Sequence, residues 1–227
     1  RKNWNNFFRV SATMTENVDR EVLQAALDVT VRRFPSIAVR LRRGTFWYYL
    51  EELSNAPKIR DEKAYPLAYV PFKEVRECAF RVIVYKKRIA VEFFNALTDG
   101  NGALTFVKTL VAEYITQKYG VEIPNEDGVL CRLEAPSDEE LEDSFLKFSG
   151  DVRASRSEKT AYHLSGTPEE NGFVDIVTLM LSADDVRKKA KEHGVTVTEF
   201  LCVAMMEAIL EIQAEKVHSR RRRKPVK

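Results

Sequence analysis

Phe93-Phe94-Asn95-Ala96-Leu97-Thr98-Asp99-Gly100-Asn101-Gly102-Ala103-Leu104 decides how this chain is read. The apolar alternation before it, Arg88 to Phe94, has the period of a strand. After it, Leu104, Val107, Val111 and Ile115 recur at helical spacing and form the expected inner face, and Gly120 supplies a stop. Asn95, three spacers and Asp99-Gly100 therefore occupy a strand-to-helix corner, a layout suited to an active-site turn.

The elements around the corner alternate in type. Phe7 to Met14 reads as a strand. Asp19 caps a helix with Leu23, Leu27, Val31 and Phe34 on one face, and Pro35 ends it. Arg43-Gly44 marks a hairpin between Ile37–Arg42 and Thr45–Leu50. Asn55 to Pro71, rich in proline and charge, reads as loop and edge. Ala79 to Tyr85 pairs with Arg88 to Phe94 through Lys86-Lys87. Val121 to Gly172 is punctuated by Pro, Gly, Ser and acidic runs, which predicts a crossover with a short helix near Asp138 to Phe148. Phe173 to Leu181 reads as a strand. Ser182 with Asp185, and Thr196 with Glu199, then cap two helices. The second is apolar nearly all round, so burial on several sides is expected.

Composition narrows the function classes. The 227 residues are 44% hydrophobic and 31% charged with a net charge of +2, as in globular domains, and give no global reason for a nucleic-acid partner. No apolar run is long enough for a membrane span. Cys78, Cys131 and Cys202 are scattered and form no metal-type cluster with His163, His193 and His218, so no metal is expected and a reduced, cytoplasmic setting is. Arg220 to Lys227 is read as a solvated turn entering another strand rather than a nucleic-acid or membrane patch.

The Asn95-x-x-x-Asp99-Gly100 corner resembles the His-x-x-x-Asp-Gly motif of CoA-dependent acyltransferases, the chloramphenicol acetyltransferase-like superfamily that includes peptide-synthetase condensation domains. Arg33-Phe34-Pro35, the Arg43-Gly44 hairpin with Phe46-Trp47, Ala161 to Thr167 and Ala190 to Thr198 are similar to its bacterial alcohol O-acetyltransferase-like branch. The resemblance implies an α/β fold, an α+β two-layer sandwich in two similar halves around a tunnel. It implies a first half at 1–120, a crossover linker at 121–172 and the start of a second half at 173–227, completed by further residues or by self-association. Acetyl-CoA or another acyl-CoA is the implied co-substrate, not a tightly bound cofactor, with a small alcohol or amine as acceptor.

On the same resemblance Asn95 stands where the general-base histidine belongs, Asp99 where a structural aspartate pairs with an arginine, and Gly100 where a glycine leaves room at the bend. A carboxamide donates and accepts hydrogen bonds but does not titrate near neutrality. Three explanations stay open: a non-catalytic homologue, another base, or an engineered His-to-Asn change. His163 is a possible secondary site as base or acceptor contact; its plainer reading is a locally bonded loop histidine. Asp99 as base competes with Asp99 as framework. His193 suits a helix C-terminus, and Cys131 is read as a single loop cysteine, more often inert than nucleophilic.

Overall fold

The computed structural model describes residues 6–62, 65–142, 147–148, 159–167, 169, 173, 175–219 and 223–227. The chain divides into two compact units, Arg1–Ser144 with Glu169–Val174, and Phe145–Pro168 with Asp175–Lys227. No helix among the described residues is long and apolar enough to cross a membrane.

The first unit is an α/β two-layer sandwich. Strand β1 (Phe7–Thr13) is followed by helix α1 (Arg20–Arg33), the hairpin β2 (Val39–Arg43) and β3 (Tyr48–Glu52), and the short β4 (Arg60–Asp61). Then come α2 (Phe72–Val75), β5 (Phe80–Tyr85), β6 (Arg88–Phe94), the 20-residue α3 (Gly100–Tyr119) and α4 (Asp138–Leu141). The main sheet runs β1-β6-β5-β4, antiparallel except for β4 on β5. Helices α1 and α3 pack together on one face of it. Leu23, Leu27 and Phe34 of the α1 segment meet Phe106, Val107 and Leu110 of α3 above Phe80, Val82, Val91 and Phe93. Phe106 is the hub, with ring centroids 5.1 Å from Phe34, 5.5 Å from Phe80 and 5.6 Å from Phe93.

Local signals explain the boundaries. The Asp19 carboxylate accepts from the Glu21 and Val22 N–H groups at 3.0 and 3.2 Å and so caps α1. The Asp19 N–H donates to the Tyr114 hydroxyl at 2.9 Å, tying the start of α1 to α3. Gly120 closes α3 in the left-handed region at φ 67°. Arg33, 7% exposed, grips Glu140 of α4 with two hydrogen bonds of 2.7 Å.

The opposite sheet face is charged. Register places Arg9 of β1 and Arg81 of β5 on either side of Glu92 of β6. The fully buried Glu92 carboxylate accepts from Arg9 and Arg81 and from the Leu67 N–H at 2.9 Å. Glu62 lies between Arg9 and Arg88. Burial pushes the Glu62 carboxyl up, but the hydrogen bonds from Arg9 and Arg88 outweigh it and hold the group below the usual carboxylate range.

Several expectations are corrected. The inner face of α3 is Ala103, Phe106, Val107, Leu110 and Tyr114; Leu104 is exposed, and Val111 and Ile115 are only partly buried. The helix is apolar over most of its circumference, so its orientation is set by the Phe34–Phe80–Phe93 cluster rather than by one stripe. The hairpin turns over Gly44 to Trp47, not at Arg43-Gly44: Arg43 pairs with Tyr48, and the Gly44 N–H donates to the Trp47 carbonyl at 2.7 Å.

The second unit contains α5 (Ala183–Glu192) and α6 (Val197–Lys216), capped as expected by Ser182 and by the Thr196–Glu199 box. The strand expected over Phe173 to Leu181 does not form at 175–181, where Val177 and Met180 are 90% and 91% exposed. A strand needs a hydrogen-bonding neighbour, and none faces this stretch among the described residues. The multi-sided burial expected of α6 is also absent. Leu201, Val203, Met205, Met206 and Leu210 are exposed, and Gln213 alone among the described residues of α6 is buried. Contacts with α5 and short stretches after Lys159 and Arg223 are too few to cover a 20-residue apolar cylinder. Arg220 to Arg222 of the basic run lie outside the described residues.

Candidate functional site

The corner is built from both layers of the first unit. β6 is buried from Ile89 to Phe93, and its ladder ends where the Phe94 N–H donates to the Ala79 carbonyl at 2.9 Å. The Asn95 N–H donates to the Asn6 carbonyl at 2.7 Å, continuing the β1–β6 pairing by one step. The Leu97 N–H then reaches back to the Phe94 carbonyl at 2.9 Å, which folds Phe94 to Leu97 into a tight turn. Asp99 is extended (φ −85°, ψ −175°), and its carboxylate accepts from the Gly102 N–H at 2.9 Å as the N-cap of α3. A capping carboxylate also complements the positive end of the helix dipole.

Asn95, Asp99 and Gly100 are all exposed at this corner. Beside it lies a small apolar cluster: Val39, Val70, Val75 and Ala79 are buried, with Phe7, Leu41, Phe94 and Leu97 packed on them. The rings of Phe7 and Phe94 are 5.7 Å apart. The corner thus places one amide side chain and one capping carboxylate in solvent beside an apolar floor. Among the described residues no arginine pairs with Asp99 and nothing hydrogen-bonds the Asn95 carboxamide.

Two contributors escape a reading of the motif alone. Gly102 is the crowded glycine: a Cβ there would lie 2.0 Å from Thr98 Oγ1, whereas one at Gly100 would meet nothing within 4 Å. Asn6 anchors the start of the turn through its backbone, and no sequence signal points to it. Its partnership follows from the β1–β6 register.

His163 belongs to the second unit, exposed beside Tyr162 and in a cavity with His218, Lys216 and Lys224. His193 caps α5, its ring stacked 5.9 Å from Phe200. All three cysteines are free thiols, and burial pushes the Cys78 thiol up to about 11, which makes it a poor nucleophile. Among the described residues no three His, Cys, Asp or Glu side chains are placed to hold a metal.

No protein family model matches the sequence, and no curated protein matches it. Solved structures do. The condensation domain from Monacolin K polyketide synthase MokA is 12% identical with a TM-score of 0.48, over 88% of this chain and 53% of that one. The SgcC5 protein from Streptomyces globisporus is 17% identical with a TM-score of 0.42, over 53% of this chain and 32% of that one. Polyketide synthase associated protein 5 from Mycobacterium tuberculosis is 15% identical with a TM-score of 0.39, over 52% of this chain and 31% of that one. The chain therefore spans only about half, or less, of the length of these structures.

Proposed function

We propose that the Asn95–Gly100 corner is the reaction centre of an acyltransferase. It would move an acetyl or longer acyl group from CoA, or from a carrier, to an alcohol or amine. The observation that carries this reading is the setting of the motif. Asn95 opens a tight turn at the exposed end of a buried strand, and Asp99 caps the long helix that follows. That is the strand–turn–helix context in which the resemblance requires a base, an aspartate and a glycine.

In this reading Asp99 and Gly102 hold the corner in shape, and Asn95 orients the acceptor hydroxyl or amine through its amide oxygen. The carboxamide cannot remove the acceptor's proton. A general base contributes about 10² to 10⁴ in rate, or roughly 3 to 5 kcal/mol of barrier. Transfer by this chain is accordingly slow, resting on positioning and electrostatic terms. The exposed apolar surface of α6 and of 175–181 supports a second half, from further sequence or another copy, that completes the tunnel. The setting is reducing and cytoplasmic.

A second reading is favoured by Asn95 itself: a relative that binds an acyl donor or a protein through the same corner without turnover. Acyl transfer from acetyl-CoA to a panel of alcohols and amines, compared between Asn95 and Asn95→His, separates the two. Gain of turnover in the histidine variant supports the enzyme reading. Acetyl-CoA binding with no turnover in either protein supports the other.

A further inference from the structure

The end of α6 carries a cavity that the acyl-transfer reading leaves unused. It measures about 560 Å³ and is lined by Tyr162, His163, Lys216, Val217, His218, Ser219 and Lys224. The lining residues carry two ammonium groups, two imidazoles and two hydroxyls, and among the described residues no Asp or Glu lines the cavity.

The walls are tied together. Gln213, 1% exposed, receives the Lys224 N–H on Oε1 at 2.7 Å and donates from Nε2 to the Lys224 carbonyl at 3.0 Å. This clamp folds the chain after α6 back onto the last turn of the helix. The Tyr162 N–H donates to the Pro225 carbonyl at 2.9 Å, and Lys216 Nζ donates to the Ser165 carbonyl at 2.8 Å. The 162–165 stretch is thereby held on the other side. A buried glutamine spending both ends of its amide on one backbone residue is a positioning device for Lys224.

Balancing the helix C-terminus accounts for some of this positive charge. Arg223 already serves that end, its Nε donating to the Val217 carbonyl at 3.2 Å. Among the described residues neither Lys216 nor Lys224 is in an ion pair. Lys216 uses one of its three donors on Ser165, and the two hydroxyls carry no charge for the helix dipole.

We propose that this cavity binds a phosphate monoester. A dianion with three acceptor oxygens matches a donor-rich, acid-free lining better than a carboxylate, which brings one charge and two oxygens. The volume exceeds that of a bare phosphate and leaves room for a small organic group. A single concavity with two lysines suits a compact anion rather than a nucleic acid, which is held along an extended basic track.

The test is calorimetric titration of the full chain, at low ionic strength, with phenyl phosphate, inorganic phosphate, acetate and a ten-nucleotide oligothymidylate. Saturable binding of phenyl phosphate is expected, tighter than of acetate. Each lost charge-assisted hydrogen bond weakens binding about tenfold, so the Lys216→Gln/Lys224→Gln double variant binds about a hundredfold more weakly. Lys108→Gln in the first unit changes nothing. His163→Gln weakens phenyl phosphate with no change in thermal unfolding. No saturable phosphate binding, equal affinity for acetate, or unchanged affinity in the double variant overturns the proposal. So does oligonucleotide binding that phenyl phosphate fails to displace. None of these outcomes depends on acyl transfer at Asn95.

Discussion

Asp99 is best tested by separating its hydrogen bond from its charge. Its carboxylate makes one bond, at 2.9 Å, to the Gly102 N–H, at the start of a 20-residue helix that carries Phe106, Leu110 and Tyr114 into the core. Asp99→Ala removes both bond and charge. Loss of an N-cap costs about 0.5 to 2 kcal/mol, and loss of an anion at a helix N-terminus about 0.3 to 1 kcal/mol. Because the corner is exposed, the lower halves of both ranges apply, and the sum is about 1 kcal/mol. Asp99→Asn keeps an acceptor for Gly102 and loses only the charge, about 0.3 to 0.5 kcal/mol. Urea denaturation followed by far-UV circular dichroism reads both. For a unit of this size each kcal/mol also moves the melting temperature by about 2 to 4 °C. High salt should shrink the Asn effect, because it screens the dipole, and leave most of the Ala effect. Equal losses for Ala and Asn would refute the capping role, as would a loss near 4 kcal/mol, which belongs to a buried ion pair.

Other outcomes follow from the same structure. Phe106→Ala, at the centre of three aromatic contacts and fully buried, should lose about 3 to 5 kcal/mol in urea denaturation. Gly100→Ala meets nothing within 4 Å and should gain about 0.5 kcal/mol in the same assay, whereas Gly102→Ala forces the Thr98 hydroxyl aside and should gain nothing or lose. Glu62 sits below its ordinary range in the fold, so its stabilisation is fully present above the unfolded carboxylate pKa of about 4.3 and is lost as pH falls through the lower folded value. Urea midpoints taken from about pH 6 down to pH 2 should therefore fall less steeply for Glu62→Gln than for the parent chain.

What the sequence made legible was local. Asp19, Pro35, the Lys86-Lys87 turn, Gly120 and the two capping pairs at Ser182 and Thr196 each act within a few residues, and the elements they bound lie where those signals place them. The corner was legible for the same reason, since a strand period gives way to a helix period across Asn95 to Gly100. What stayed hidden depends on partners distant in sequence. β4 has two residues and exists only through its parallel pairing with β5. Glu92 looks like an interruption of an apolar strand until register sets it between Arg9 and Arg81. Gly102 reads as an ordinary turn glycine until Thr98 is seen against it. The stretch 175–181 has strand composition, but composition supplies no neighbour to pair with.

The central claim is that position 95 is the reacting end of an acyl-transfer site. The most direct measurement is the single-turnover rate of acetyl transfer from acetyl-CoA to a responsive alcohol, for Asn95 and Asn95→His at matched folded concentration. A general base restored at the corner should raise the rate about 10² to 10⁴-fold. That gain should vanish below the histidine's own titration, near pH 6.5 for an unperturbed imidazole. An unchanged rate in a folded Asn95→His protein, with every acceptor tried, would contradict the account.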